Sequence, residues 1–97
     1  MAKVVYSPVA LEAIERAFEF IAEKDEKAAA RAVEAIGNAI AVLPKHPLIG
    51  RSIGDGVREL VISHGATGYV ALYWVSPDRA EVQVLALRHQ RELGYPD

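Results

Sequence analysis

Hydrophobic spacing changes period once along this chain, and that change limits the fold more than any other feature of the sequence. Before residue 44 the apolar residues repeat every three or four positions, which is the spacing of one helix face. Leu11, Ile14, Phe18 and Ile21 form a first stripe; Ala29, Val33, Ile36, Ile40 and Leu43 form a second. After residue 56 the pattern is that of strands: alternation over 57–63, a near-continuous apolar and aromatic run over 69–75, and a third run over 81–88. Helices first and strands after pack as segregated layers, not as alternating βαβ units.

Local signals place the boundaries. Lys3-Val4-Val5-Tyr6 is a short β-prone run. Ser7 and Pro8 follow as an N-cap and first helical residue. Glu12, Glu15, Arg16, Glu19 and Glu23 occupy the polar face of the first helix, with early acids suited to its dipole. Asp25 caps a second helix, and the connection is short enough for an αα-hairpin. Ala28, Ala30, Ala32, Ala35 and Ala39 allow close approach, and Gly37 is assigned to the same close packing. Pro44 and Pro47 end the helix. Residues 44–56 are expected to be an irregular loop pinned by Leu48, Ile49 and Ile53; 64–68 read as a turn, 76–79 as a hairpin turn and 89–97 as a short polar tail. The expectation is one domain over 1–97, an α+β two-layer fold of order β-α-α-β-β-β. An antiparallel meander, joined by the N-terminal strand, would be covered on one face by the helical hairpin and left partly open on the other.

Composition removes several functions. The chain has no cysteine, which excludes a disulfide scaffold, a thiolate zinc site, an iron–sulfur cluster and a cysteine nucleophile. His46, His64 and His89 lack metal-ligand spacing, so neither a metal nor a cofactor is expected. The opening residues carry no secretory hydrophobic region, so a cytoplasmic location and no membrane partner are expected. The net charge is −2, unlike a domain built to cover nucleic acid. Residues 1–43 hold five Lys/Arg against seven acids; residues 44–97 hold six against six. Five of those six cations are arginines (Arg51, Arg58, Arg79, Arg88 and Arg91), so the second half is where an anionic partner would dock.

The ordered set of motifs resembles the RelE/ParE superfamily of toxins from type II toxin–antitoxin pairs. Tyr6-Ser7-Pro8-Val9-Ala10 is similar to the family's opening strand and helix start. Leu43-Pro44-Lys45-His46-Pro47-Leu48-Ile49-Gly50-Arg51 resembles its loop after the second helix, and Arg58-Glu59-Leu60 its next strand. The run from Tyr69 to Val75 resembles its aromatic strand, and Val84 to Arg91 its closing strand. The resemblance implies a cognate antitoxin as protein partner, in a hetero-oligomer. It also implies one of two targets. ParE-like members poison DNA gyrase and have no established nuclease chemistry; RelE-like members are ribosome-dependent mRNA endoribonucleases.

If the chain were RelE-like, the resemblance casts Arg58, Arg88 and Arg91 as phosphate-holding cations and His89 or Tyr95 as the proton-transfer group. If it were ParE-like, Arg58, Arg88 and Arg91 would contact the target or the antitoxin, and no residue would be catalytic. Contact with ribosomal and messenger RNA depends on many Lys/Arg contacts, and the second half has one lysine, Lys45. The charge therefore favours the ParE-like reading, with the RelE-like one, or a toxin that only binds its antitoxin, as alternatives.

Overall fold

The computed structural model describes residues 2–64 and 67–89. Its elements run β1 (Lys3–Tyr6), α1 (Pro8–Ala22), α2 (Glu26–Ile40), β2 (Arg51–Gly54), β3 (Val57–His64), β4 (Thr67–Val75) and β5 (Glu81–His89). The strands form one sheet in the order β1-β5-β4-β3-β2. The meander of β3, β4 and β5 is antiparallel, as expected, and the N-terminal strand joins it. That strand lies parallel to β5, which makes the sheet mixed instead of wholly antiparallel. A chain that leaves β1 and returns through two helices and three antiparallel strands reaches β5 in the same direction.

The caps fall where the sequence put them. The Ser7 hydroxyl accepts from the Ala10 N–H at 3.0 Å and donates to the Leu85 carbonyl at 2.9 Å, so one side chain starts α1 and ties it to β5. Asp25 accepts from the Ala28 N–H at 3.1 Å and starts α2. Residues 23–25 are the whole connection between the helices. Acids do not reach the first turn of α1, because the helix begins at Pro8 and Glu12 falls beyond it. Neither helix is long and apolar enough to cross a membrane.

Both helices pack on one face of the sheet. Ala10, Ala13, Ile36, Ile40 and Leu43 meet Ile62, Tyr69, Ala71, Tyr73, Val82, Val84 and Leu87 in a single core. The stripe of α2 is buried as expected, apart from half-buried Val33. That of α1 is buried only in part: Ile14 and Ile21 are half-buried, with Ile14 packed against the core, but Leu11 and Phe18 remain 51% and 39% exposed, and the fully covered contacts are those of Ala10 and Ala13. Small residues allow the helix axis to sit close to α2 and β5, and the large side chains are left at the flank. Gly37 is not a packing glycine either; it is exposed, and a Cβ there would meet nothing within 4 Å.

Two further expectations change. Residues 44–56 are not wholly irregular, since β2 adds an edge strand through Arg51↔Glu59 and Ser52↔Arg58. The turn read at 64–68 is narrower, because β3 reaches His64 and β4 starts at Thr67.

Candidate functional site

Side chains of paired residues in an antiparallel sheet share a face, so the register assigns each candidate residue to one side. Arg58 pairs with Tyr73, Leu60 with Ala71 and Ile62 with Tyr69, all on the helix-covered face. Val57, Glu59 and Val61 pair with Trp74, Leu72 and Val70 on the other face. Across the next ladder, Trp74 pairs with Gln83, Leu72 with Ala86 and Val70 with Arg88. None of these second-face residues belongs to the core that the helices cover.

A bulge decides where Arg88 goes. Leu72 pairs with Ala86 while the next residue, Tyr73, pairs with Val84, so Leu85 is an extra residue in β5. One inserted residue reverses the alternation beyond it. With an unbroken register Arg88 would oppose Tyr69 and share the face of Arg58; the bulge places it opposite Val70, on the second face. The bulged Leu85 carbonyl is the one that accepts from Ser7.

On the helix face, Arg58 is a clamp. Its Nη1 donates to the Leu48 carbonyl at 3.1 Å and to the Gly50 carbonyl at 2.7 Å. Gly50 is also held from its other side, its N–H donating to the Tyr73 hydroxyl at 2.8 Å. Tyr73 is fully buried, and burial pushes its phenol above the ordinary value of 10.0, against the lowering pull of the Gly50 N–H and the Arg58 charge. The adjacent acid pairs elsewhere: Glu59 accepts from Arg51 Nε at 3.0 Å and from Arg51 Nη2, which joins β2 to β3.

His89 lies on the helix face at the far end of the sheet, its ring edge-on to Tyr69 with centroids 5.4 Å apart and planes at 84°. Four residues along β4 separate its row from that of Arg58, roughly 13 Å at a strand's rise per residue. Arg58, Arg88 and His89 are therefore spread over two faces and two ends of the sheet. Arg91 and Tyr95 lie outside the described residues. Among the described residues no group of three or more His, Asp or Glu side chains is placed to hold a metal.

What the second face offers is a surface. Leu72 and Trp74 are half-buried and Val61 is 52% exposed, with the Arg51–Glu59 pair, Gln83 and exposed Arg88 around them. Trp74 is seated by Gly56, where an added Cβ would stand 3.0 Å from the indole nitrogen. The alternation of 57–63 shows two faces but does not say which one the helices cover.

Comparisons with known proteins agree with this architecture. A family model described as the ParE toxin of the type II toxin–antitoxin system, parDE, matches residues 4–94. A relative named Toxin RelE3, from Caulobacter vibrioides, is 33% identical over 92 residues, covering 95% of this chain and 98% of that one. Among solved structures, the chromosomal ParDE system from P. aeruginosa superposes with a TM-score of 0.73 at 19% identity, over 92% of this chain and 96% of that one. The intact E. coli RelBE toxin–antitoxin complex gives a TM-score of 0.65 at 14% identity, over 91% and 95%. The two helices and five-stranded mixed sheet are the fold of these proteins.

Proposed function

The chain belongs to the ParE toxin family of type II toxin–antitoxin systems, within the RelE/ParE superfamily, and on that premise we propose that it arrests growth by binding DNA gyrase and is neutralised by a cognate antitoxin. The antitoxin partner is supported by structural neighbours that are themselves toxin–antitoxin systems.

The observation that carries the choice of target is the separation of Arg58 from Arg88. Metal-free RNA cleavage needs a base for the 2′-hydroxyl, an acid for the leaving oxygen and cations around the same phosphate. Here Arg58 is spent on two loop carbonyls on the helix face, and Arg88 lies on the opposite face. The net charge of −2 also opposes broad contact with RNA. A protein target is bound differently, through an aromatic or aliphatic anchor ringed by polar groups. Trp74, Leu72 and Val61, with Arg51, Glu59 and Arg88 beside them, fit that description.

Purified protein is expected to inhibit gyrase supercoiling and to trap gyrase–DNA cleavage complexes, with antitoxin restoring activity. Val61→Asp, a change at an exposed position, should weaken inhibition about tenfold with little loss of stability. Full supercoiling activity and no cleavage complex at saturating protein would contradict the target. Ribosome-dependent mRNA cleavage is the second reading, favoured by the RelE name of the 33% identical relative.

A further inference from the structure

The turn between β4 and β5 contains a residue in the wrong conformation for its type. Arg79 has φ of 59°, in the left-handed region where glycine or asparagine is the usual occupant. The turn itself is well made. The Arg79 N–H donates to the Ser76 carbonyl at 2.9 Å, and the Ser76 N–H donates to the Glu81 carbonyl at 3.0 Å. A hairpin turn that closes on a residue in this region normally carries glycine there. An arginine at that position costs stability, and nothing in the turn's own hydrogen bonds uses its side chain.

The side chain does line something. Arg79 closes a shallow pocket of about 380 Å³ whose other walls are Lys45, His46, Pro47, Leu48 and Ile49, from the loop that follows α2. The two segments are held side by side across β1: the Ala2 N–H donates to the Pro44 carbonyl at 3.0 Å and the Lys3 N–H to the Ala80 carbonyl at 2.8 Å. Among the described residues the lining contains two basic side chains and an imidazole, two exposed aliphatic side chains, and no carboxylate. Asp78, next in sequence to Arg79, is withdrawn: its carboxylate accepts from the Ala80 N–H at 3.0 Å and the Ser76 hydroxyl at 2.7 Å. Positive charge around an apolar floor is complementary to a carboxylate beside a large apolar side chain.

We propose that this pocket docks an acidic, apolar-bearing segment of the cognate antitoxin, with Arg79 retained in a strained conformation for its charge. The proposal rests on the family reading for the identity of the partner. It adds a docking site on the loop side of the sheet, apart from the second face assigned above to the target. A side chain such as leucine would lie on Leu48 and Ile49, while neighbouring carboxylates would meet Lys45 and Arg79.

Arg79→Gly separates the two roles, because it relieves the backbone and removes the cation. Its thermal midpoint should rise by about 2–5 °C, while affinity for the antitoxin encoded beside this chain falls about tenfold. Arg79→Asn, which tolerates the same conformation, should lose affinity likewise, and Arg79→Lys should retain most of it. Lys45→Glu should weaken binding as well, and the wild-type affinity should fall more steeply with salt than that of Arg79→Gly. Wild-type affinity in Arg79→Gly and Lys45→Glu would overturn the proposal while leaving the family reading intact. A wild-type protein that does not bind this antitoxin would overturn both.

Discussion

Gly50→Ala is expected to destabilise the protein by about 3 kcal/mol, lowering its thermal midpoint by roughly 15 °C. The glycine is required by space. An added Cβ would stand 2.6 Å from the Tyr73 hydroxyl oxygen, 2.8 Å from Tyr73 Cε1 and 2.8 Å from the Glu59 carbonyl. Neither neighbour can give way cheaply: Tyr73 is fully buried, and the Glu59 carbonyl belongs to the backbone of β3. The loop must move instead, and it then loses the Gly50 N–H bond to Tyr73 and the Arg58 bond to the Gly50 carbonyl. Overpacking costs about 1–3 kcal/mol and each lost hydrogen bond about 1 kcal/mol. Urea denaturation measures the sum, and a cost below about 1 kcal/mol would show that the loop is not clamped as described.

The second large effect is at Arg58. Replacing it with leucine removes the guanidinium from the Leu48 and Gly50 carbonyls, and hydrogen bonds to a charged group are worth about 1.5–3 kcal/mol. A loss of about 2 kcal/mol is expected. Arg58→Lys should recover only part of it, because the flexible lysine stem does not hold its ammonium fixed at the Nη1 position that meets both carbonyls. Toxicity gives the independent readout. If Arg58 holds the loop, growth arrest should weaken in step with stability and return when the protein is stabilised. A variant that keeps its thermal midpoint but abolishes arrest would show that Arg58 touches the target or its nucleic acid.

Tyr73 gives this junction a pH dependence of known sign. Its pKa is raised in the folded state, so its contribution is fully present below the ordinary tyrosine value of 10.0. It is lost as pH rises through the folded value, because the unfolded chain gives up the proton first.

The parts of this structure written in short-range chemistry were legible in the sequence. Ser7 and Asp25 announce their helices because capping is a contact within one turn. The runs that became β4 and β5 stand out for the same reason, as continuous stretches between turn residues. β2 did not, because Arg-Ser-Ile-Gly has no alternation and is exposed throughout. Its pairing with β3 and the Arg51–Glu59 bridge hold it, and both are tertiary. The stripe on α1 misled for another reason. Hydrophobic spacing weights Leu11 and Phe18, whereas close approach of a helix to a sheet selects Ala10 and Ala13.

The candidate residues show the same limit more sharply. The RelE-like resemblance puts Arg58, Arg88 and His89 in one site, yet faces are set by counting residues through two hairpins. The single extra residue at Leu85 reverses that count for everything after it. Nothing in Val84-Leu85-Ala86 marks the bulge, whose carbonyl partner, Ser7, lies at the other end of the chain.

On the proposed reading this toxin acts on a protein target and not by cutting RNA. The most direct test is to express the chain in cells with and without its antitoxin and, in the same cultures, to map mRNA 5′ ends and gyrase-linked DNA breaks. The expected result is arrest with DNA breaks, filamentation and intact messages, all reversed by the antitoxin. Codon-linked cuts in translated mRNA without gyrase-linked breaks would contradict it.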